Sequence, residues 1–200
     1  CPRMAGKLIL IFGPSGSGKG ELIAHIRHTF PDIVFPLSAT TRPIRPEEKE
    51  GEVYQFISRD EFERRALAGE FLEWAQYGGN MYGTLKESIV PQLEAGKVIV
   101  REVEVQGVRS IRALLPKEQV AVIFISAGPW EGLEQRIRAR APIGEDELLR
   151  RKARYQDELS YRSEADFEVE NPDGELTSAK QHIETLVRDI ITECDSKIIV

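Results

Sequence analysis

At 200 residues, with 41% apolar and 30% charged side chains, the chain can bury one real core and is too apolar for a disordered tail. A net charge of −6 argues against a nucleic-acid backbone as partner, because surfaces that track phosphate chains are usually basic. With no apolar stretch near the roughly 20 residues of a membrane helix and no signal-peptide pattern, a cytoplasmic location without membrane contact is expected. Cys1 and Cys194 stand at opposite ends and read as incidental thiols of a reducing compartment.

Lys7–Phe12 (KLILIF) is a short apolar run ending at Gly13, the pattern of a buried strand. Lys19–Phe30 follows with Leu22, Ile23 and Ile26 at helical spacing and stops near Pro31; His25 and His28 are expected on its surface. Ser38–Thr84 breaks the rhythm with Pro43, Pro46, short β-like runs and many polar residues, as an insertion would. Within it Ser58-Arg59-Asp60-Glu61 is a capping box that predicts a helix with Phe62, Ala66 and Leu67, closing at Gly69. A helix over 86–95 with Gly96 as its left-handed stop comes next, then strands over Val98–Val105 and Val120–Ile125. Glu131 to about Ser163 is charged and helical, interrupted at Ala141–Gly144. Phe167–Glu170 reads as a strand. The last helix carries Leu176, Ala179, Ile183, Leu186, Val187, Ile190 and Ile191 as one stripe. Strands alternating with helices predict an α/β fold, a parallel sheet covered on both faces.

Gly13-Pro14-Ser15-Gly16-Ser17-Gly18-Lys19 fits GxxxxGK between a predicted strand and a predicted helix, the context this phosphate-binding motif needs. Glycines let backbone N–H groups turn inward around phosphate oxygens, the helix N-terminus adds positive potential, and Lys19 reaches the β- and γ-phosphates. One position departs: Gly20 and then Glu21 stand where a Mg²⁺-binding hydroxyl is usual.

Ser38-Ala39-Thr40-Thr41-Arg42-Pro43-Ile44-Arg45-Pro46 sets two arginines three apart on a proline-stiffened loop, and a guanidinium fork suits phosphate oxygens. Tyr54, Glu73, Tyr82 and Thr84 follow; alone each is unremarkable. Together with GPSGSGKG, SATTRPIR, GEVYQF, FLEWAQYGGNMYGT and VEVQG, and with Arg136, Arg140, Arg151 and Asn171, they resemble the guanylate kinase family over nearly the whole chain.

That resemblance implies a single-domain P-loop core (about 5–37, 85–127 and 164–196), a GMP-binding segment (about 38–84) and a helical lid (about 128–163). Its implied substrates are ATP and GMP, with ATP along Gly13–Gly20, its adenine near Asn171. The GMP phosphate would be gripped by Arg42, Arg45, Tyr54 and Tyr82, and the guanine edge read by Ser38, Glu73 and Thr84. A carboxylate there accepts from guanine N1–H and N2–H₂ and would be left unpaired by adenine. Lys19, Arg42, Arg45, Arg140 and Arg151, with Arg136 beside them, would neutralise charge during transfer. Glu104, where the family usually has aspartate, would touch the guanine amine or a Mg²⁺-bound water, and Glu102 is the other carboxylate able to reach Mg²⁺ through water. Mg²⁺ with ATP is the implied cofactor. The assembly would be a monomer or homodimer. Ala141-Pro142 and Lys152 depart from the family's lid pattern. The departures at Gly20, Glu21 and Glu104 also leave open a guanylate kinase-like module that binds protein segments, and a kinase for another phosphorylated acceptor is a third reading.

Overall fold

A computed structural model describes residues 6–46, 48–52, 54–140 and 142–196, without the side chains of Tyr77, Arg140, Cys194, Asp195 and Ser196. Cys1, the thiol of Cys194 and Ala141 therefore lie outside the described residues. In chain order the elements are β1 (Lys7–Phe12), α1 (Lys19–Thr29), β2 (Ser38–Thr40), β3 (Tyr54–Phe56), α2 (Arg59–Leu67), β4 (Phe71–Tyr77), β5 (Asn80–Leu85) and α3 (Lys86–Glu94). They continue with β6 (Val98–Glu102), α4 (Val105–Leu114), β7 (Val120–Ser126), α5 (Trp130–Arg140), α6 (Glu145–Ser160), β8 (Phe167–Glu170) and α7 (Leu176–Ser196).

The first sheet runs β6-β1-β7-β8 with every pairing parallel. A parallel strand needs cover on both faces, and the two-residue period of β1 and β7 supplies it. Leu8, Leu10, Phe12, Val122 and Phe124 pack on one side against Ile89 and Leu93 of α3 and Val108 and Ile111 of α4. Ile9, Ile11, Ile123 and Ile125 pack on the other against Leu22 and Ile26 of α1 and Ala179, Ile183, Val187 and Ile190 of α7. Each such large side chain contributes about 1.5–3 kcal/mol by leaving water, so the predicted α7 stripe is a principal anchor of its layer. The α/β class is as expected.

The second sheet, β3-β2-β5-β4, carries the middle of the chain; β2 pairs β3 in parallel and β5 antiparallel. Gly78 and Gly79, both with positive φ, make the two-residue turn that joins β4 to β5. Ser58 caps α2 by accepting from the Glu61 amide at 3.1 Å, while the Glu61 carboxylate takes Arg64 and Arg65. Gly96, with φ of 77°, ends α3 as expected.

Two expectations need correction. The strand expected over Val98–Val105 stops at Glu102, and Val105 opens α4, a helix the alternation of VIVREVEV hides. Val105, Val108 and Ile111 recur at helical spacing and are buried, so burial on the 3.6-residue period prevails there. His25 is not on the open surface but stands 3.2 Å from Glu184 of α7.

Candidate active site

The loop Gly13–Gly18 turns between β1 and α1 on backbone that only glycine holds cheaply. Gly16 and Gly18 both have φ of 86°, and a Cβ on Gly18 would stand 2.3 Å from the Asn171 side-chain nitrogen. The Lys19 ammonium folds back over the loop, donating to the carbonyls of Gly13 at 2.6 Å and Pro14 at 3.0 Å, with the Glu102 carboxylate 3.8 Å away. Gly18 is the cap residue of α1 and offers no side-chain acceptor, so the first-turn N–H groups remain available to an anion. Gly20 is exposed, with nothing within 4 Å of where its Cβ would lie.

Asn171 is buried and donates its amide to the Ser17 carbonyl at 2.8 Å, bracing the loop from beneath. Arg136 donates to the Asn171 carbonyl with both terminal nitrogens at 3.1 Å and pairs with Asp173. It thus stands at the end of β8. Arg151 of α6 reaches the loop, donating to the Ser15 hydroxyl at 3.0 Å and to Glu147 at 3.1 Å. The backbone of Arg140 closes α5, and its side chain lies outside the described residues. Ile137 and Leu133 of α5 pack beside Gly16, so the base of this helical pair is seated on the loop. Burial pushes Glu158 of α6 up to about 7; Lys19 opposes the shift and Glu104 adds to it.

The second sheet gathers two groups. Arg42 lies over the rings of Tyr54 and Phe56, at 5.1 and 5.4 Å, and Tyr54 meets Tyr82 edge-on at 6.0 Å. Its fork grips both Glu48 oxygens, at 2.7 and 2.6 Å, and that hydrogen-bonded pairing holds Glu48 down at about 2. A planar oxyanion thus already fills the arginine. Arg45 is exposed, and its backbone N–H also donates to Glu48, at 3.0 Å.

The other group is a chain of polar contacts. Thr84 donates to Glu73 at 2.5 Å, Arg101 Nε donates to the Thr84 hydroxyl at 3.0 Å, and Arg101 also donates to Ser38 Oγ and to the Pro36 carbonyl at 2.9 Å. Desolvation pushes Glu73 above the usual carboxylate range, with Thr84 and Arg101 pulling it back. Glu104 stands at the cap position of α4, largely exposed and 3.9 Å from Arg154.

Of the expected residues, Ser38, Glu73 and Thr84 meet in one cluster, Arg42, Tyr54 and Tyr82 in a second, and Lys19, Glu102, Ser15 and Arg151 around the loop. Asn171 holds the loop through the Ser17 carbonyl, and Arg136 in turn holds the Asn171 carbonyl. Sequence reasoning missed Arg101, Glu48 and Glu158. A charged residue inside the apolar run Val98–Arg101 was the one available signal for Arg101.

The family model for guanylate kinase matches residues 5–189. The guanylate kinase of Nostoc sp. is 42% identical over 181 residues, covering 90% of this chain and 89% of that protein. That of Rubrobacter xylanophilus is 40% identical over 190 residues, covering 95% and 97%. The crystal structure of guanylate kinase from Anaplasma phagocytophilum matches with a TM-score of 0.69 over 93% of this chain and 86% of its own, at 24% identity, which speaks for the fold.

Proposed function

Because the chain belongs to the guanylate kinase family, we propose that it transfers the γ-phosphoryl group of ATP to GMP, giving ADP and GDP. ATP lies along Gly13–Lys19, GMP in the segment of about 38–84, and the helical pair of about 128–163 closes over them. The observation that carries the choice of acceptor is the desolvated Glu73 carboxylate held by Thr84. Ionised, it accepts and never donates, so it suits guanine N1–H and N2–H₂ and is left unpaired by adenine. Arg42, seated between Tyr54 and the Glu48 carboxylate, takes the GMP phosphate by exchanging one oxyanion for another, with Arg45 and Tyr82 beside it.

A GMP phosphate oxygen attacks the γ-phosphorus while the bond to the β–γ bridging oxygen breaks, and the electron pair leaves with ADP. The attacking oxygen is already ionised at neutral pH, so no side chain takes a proton. Lys19 and Arg151, with Arg140 from the end of α5, neutralise the charge that spreads over the transferring group. Closure excludes water that would otherwise hydrolyse ATP.

Hard oxygen donors near the loop fit a Mg²⁺ that keeps most of its waters: Glu102 is half-exposed 3.8 Å from Lys19, and Glu104 stands two residues on. Bound with ATP, Mg²⁺ supplies Lewis-acid shielding of the β- and γ-phosphates. Small nucleotides of this kind are met in the cytosol, the setting we propose. The test is ADP formation from ATP and Mg²⁺ with GMP, AMP, CMP and UMP compared. GMP-selective turnover that Lys19→Ala abolishes is expected; equal turnover on all four, or none, overturns the reading.

A further inference from the structure

We infer that Arg101 is a positioning residue for base recognition, fixing the direction of the hydroxyl hydrogens of Ser38 and Thr84 so that the pocket reads guanine; this rests on the reading that Ser38, Glu73 and Thr84 hold the base. Arg101 belongs to β6 of the first sheet, opposite Leu10 of β1. Its side chain crosses to the second sheet, where Nε donates to Thr84 Oγ1 of β5 at 3.0 Å and a terminal nitrogen to Ser38 Oγ of β2. The remaining arm donates to the Pro36 carbonyl at 2.9 Å, in the segment leading into β2. One guanidinium thus ties two of the three strands of the base pocket, and the entry to one of them, to the core.

The direction of each hydrogen bond follows from valence. A guanidinium donates only, and a hydroxyl has one hydrogen and two lone pairs. Thr84 therefore accepts from Arg101 and delivers its own hydrogen to Glu73 at 2.5 Å. That orders the chain as Arg101 to Thr84 to Glu73, and a hydroxyl that accepts from a cation is a stronger donor. Ser38 Oγ likewise accepts from Arg101, which leaves its single O–H to be given away. A donor at Ser38 suits the O6 acceptor of guanine and meets the N6 amine of adenine as donor against donor.

The same cation supports the other half of the code. Glu73 recognises guanine N1–H and N2–H₂ only when ionised. Burial opposes that, Thr84 and then Arg101 favour it, and Glu104 at the cap of α4 opposes it. Desolvation dominates at Arg101 too, with Glu73, Tyr54 and Glu102 as the negative or ionisable groups around it. Without Arg101 the Ser38 and Thr84 hydroxyls could rotate, and Glu73 would hold its proton to higher pH.

The experiment compares the full chain with Arg101→Met, which removes charge and donors at similar length, and Arg101→Lys, which keeps the charge and loses the fork. The readouts are KM for GMP and for ATP, the ratio of kcat/KM for GMP over AMP, and the pH profile of kcat/KM for GMP. Arg101→Met is expected to raise KM for GMP about tenfold or more, equivalent to about 1.4 kcal/mol, with KM for ATP within about twofold. Its GMP over AMP ratio should shrink and its acid limb move to higher pH; titration of the GMP phosphate is common to both proteins, so the difference reports Glu73. Arg101→Lys should restore the acid limb and only part of the KM. Should Arg101→Met not fold, Arg101→Lys decides: a KM for GMP raised at unchanged KM for ATP together with a lowered GMP over AMP ratio supports the role, and an unchanged ratio overturns it. Parallel loss toward GMP and ATP, or wild-type kinetics in Arg101→Met, also overturns it. If the unaltered protein does not use GMP, the proposed function fails; if it does and Arg101→Met keeps its KM and selectivity, only this inference fails.

Discussion

Replacing Glu73 by Gln should make the free protein more stable and the enzyme poorer, both through one carboxylate. Burial raises the Glu73 pKa in the fold, and this net direction already includes the opposing pull of Thr84 and Arg101. A carboxyl with a raised folded pKa costs stability as pH rises above its unfolded value of about 4.3, and the cost stays at neutral pH. Gln resembles the protonated form, so Glu73→Gln should melt above the unaltered protein at pH 8, with the gain shrinking toward about pH 4. Toward GMP the sign reverses. The side-chain oxygen can keep the 2.5 Å hydrogen bond from Thr84, but the other position becomes an amide that meets guanine's donors as a donor. Losing one charge-assisted hydrogen bond costs about 1.5–3 kcal/mol, hence roughly a ten- to hundred-fold fall in kcat/KM for GMP. IMP lacks the N2 amine and should lose less. Thermal melts over pH and the coupled kinase assay with GMP, IMP and AMP read both effects. An unchanged kcat/KM for GMP, or an equal loss on GMP and AMP, would refute the assignment of Glu73 to the base.

Lys19→Met removes the cation folded over Gly13 and Pro14, and kcat should fall about a hundred- to a thousand-fold while the melting temperature moves little; rapid-quench kinetics checks it. Gly20→Ser adds a hydroxyl into open space in the first turn of α1, so half-saturation by Mg²⁺ should drop with stability within about 0.5 kcal/mol, measured by Mg²⁺ titration of turnover and by denaturant melts. Glu158, raised by burial to about 7, costs stability as pH rises from its unfolded value toward 7. Glu158→Gln should therefore raise the melting temperature at pH 8 and leave it nearly unchanged at pH 4; equal gains at both would contradict that burial account.

What the sequence made legible was local. Lys7–Phe12, the glycine loop and α1 follow from one apolar run, one turn and one helical period, and the Ser58 cap and the Gly96 stop lie within a few residues of the elements they end. α4 escaped because Val98 to Val105 alternates as a strand does, and its helical period emerges only with Val108 and Ile111. Arg101 escaped for a different reason: its partners Ser38 and Pro36 are 63 and 65 residues away, joined only when the two sheets meet. Glu48 was three residues from Arg45, close enough to be suspected, but a carboxylate in a charged loop has no signature until its bidentate geometry with Arg42 is seen. Arg136 looks from its sequence like another phosphate arginine, while the fold ties it to Asn171 and Asp173.

The most direct test of phosphoryl transfer to GMP is a product balance: ATP, Mg²⁺ and GMP incubated with the purified protein, with all four nucleotides separated and quantified. The account predicts one GDP for each ADP formed and no ADP without GMP. ADP appearing without GDP, or neither appearing while both substrates bind, would contradict it.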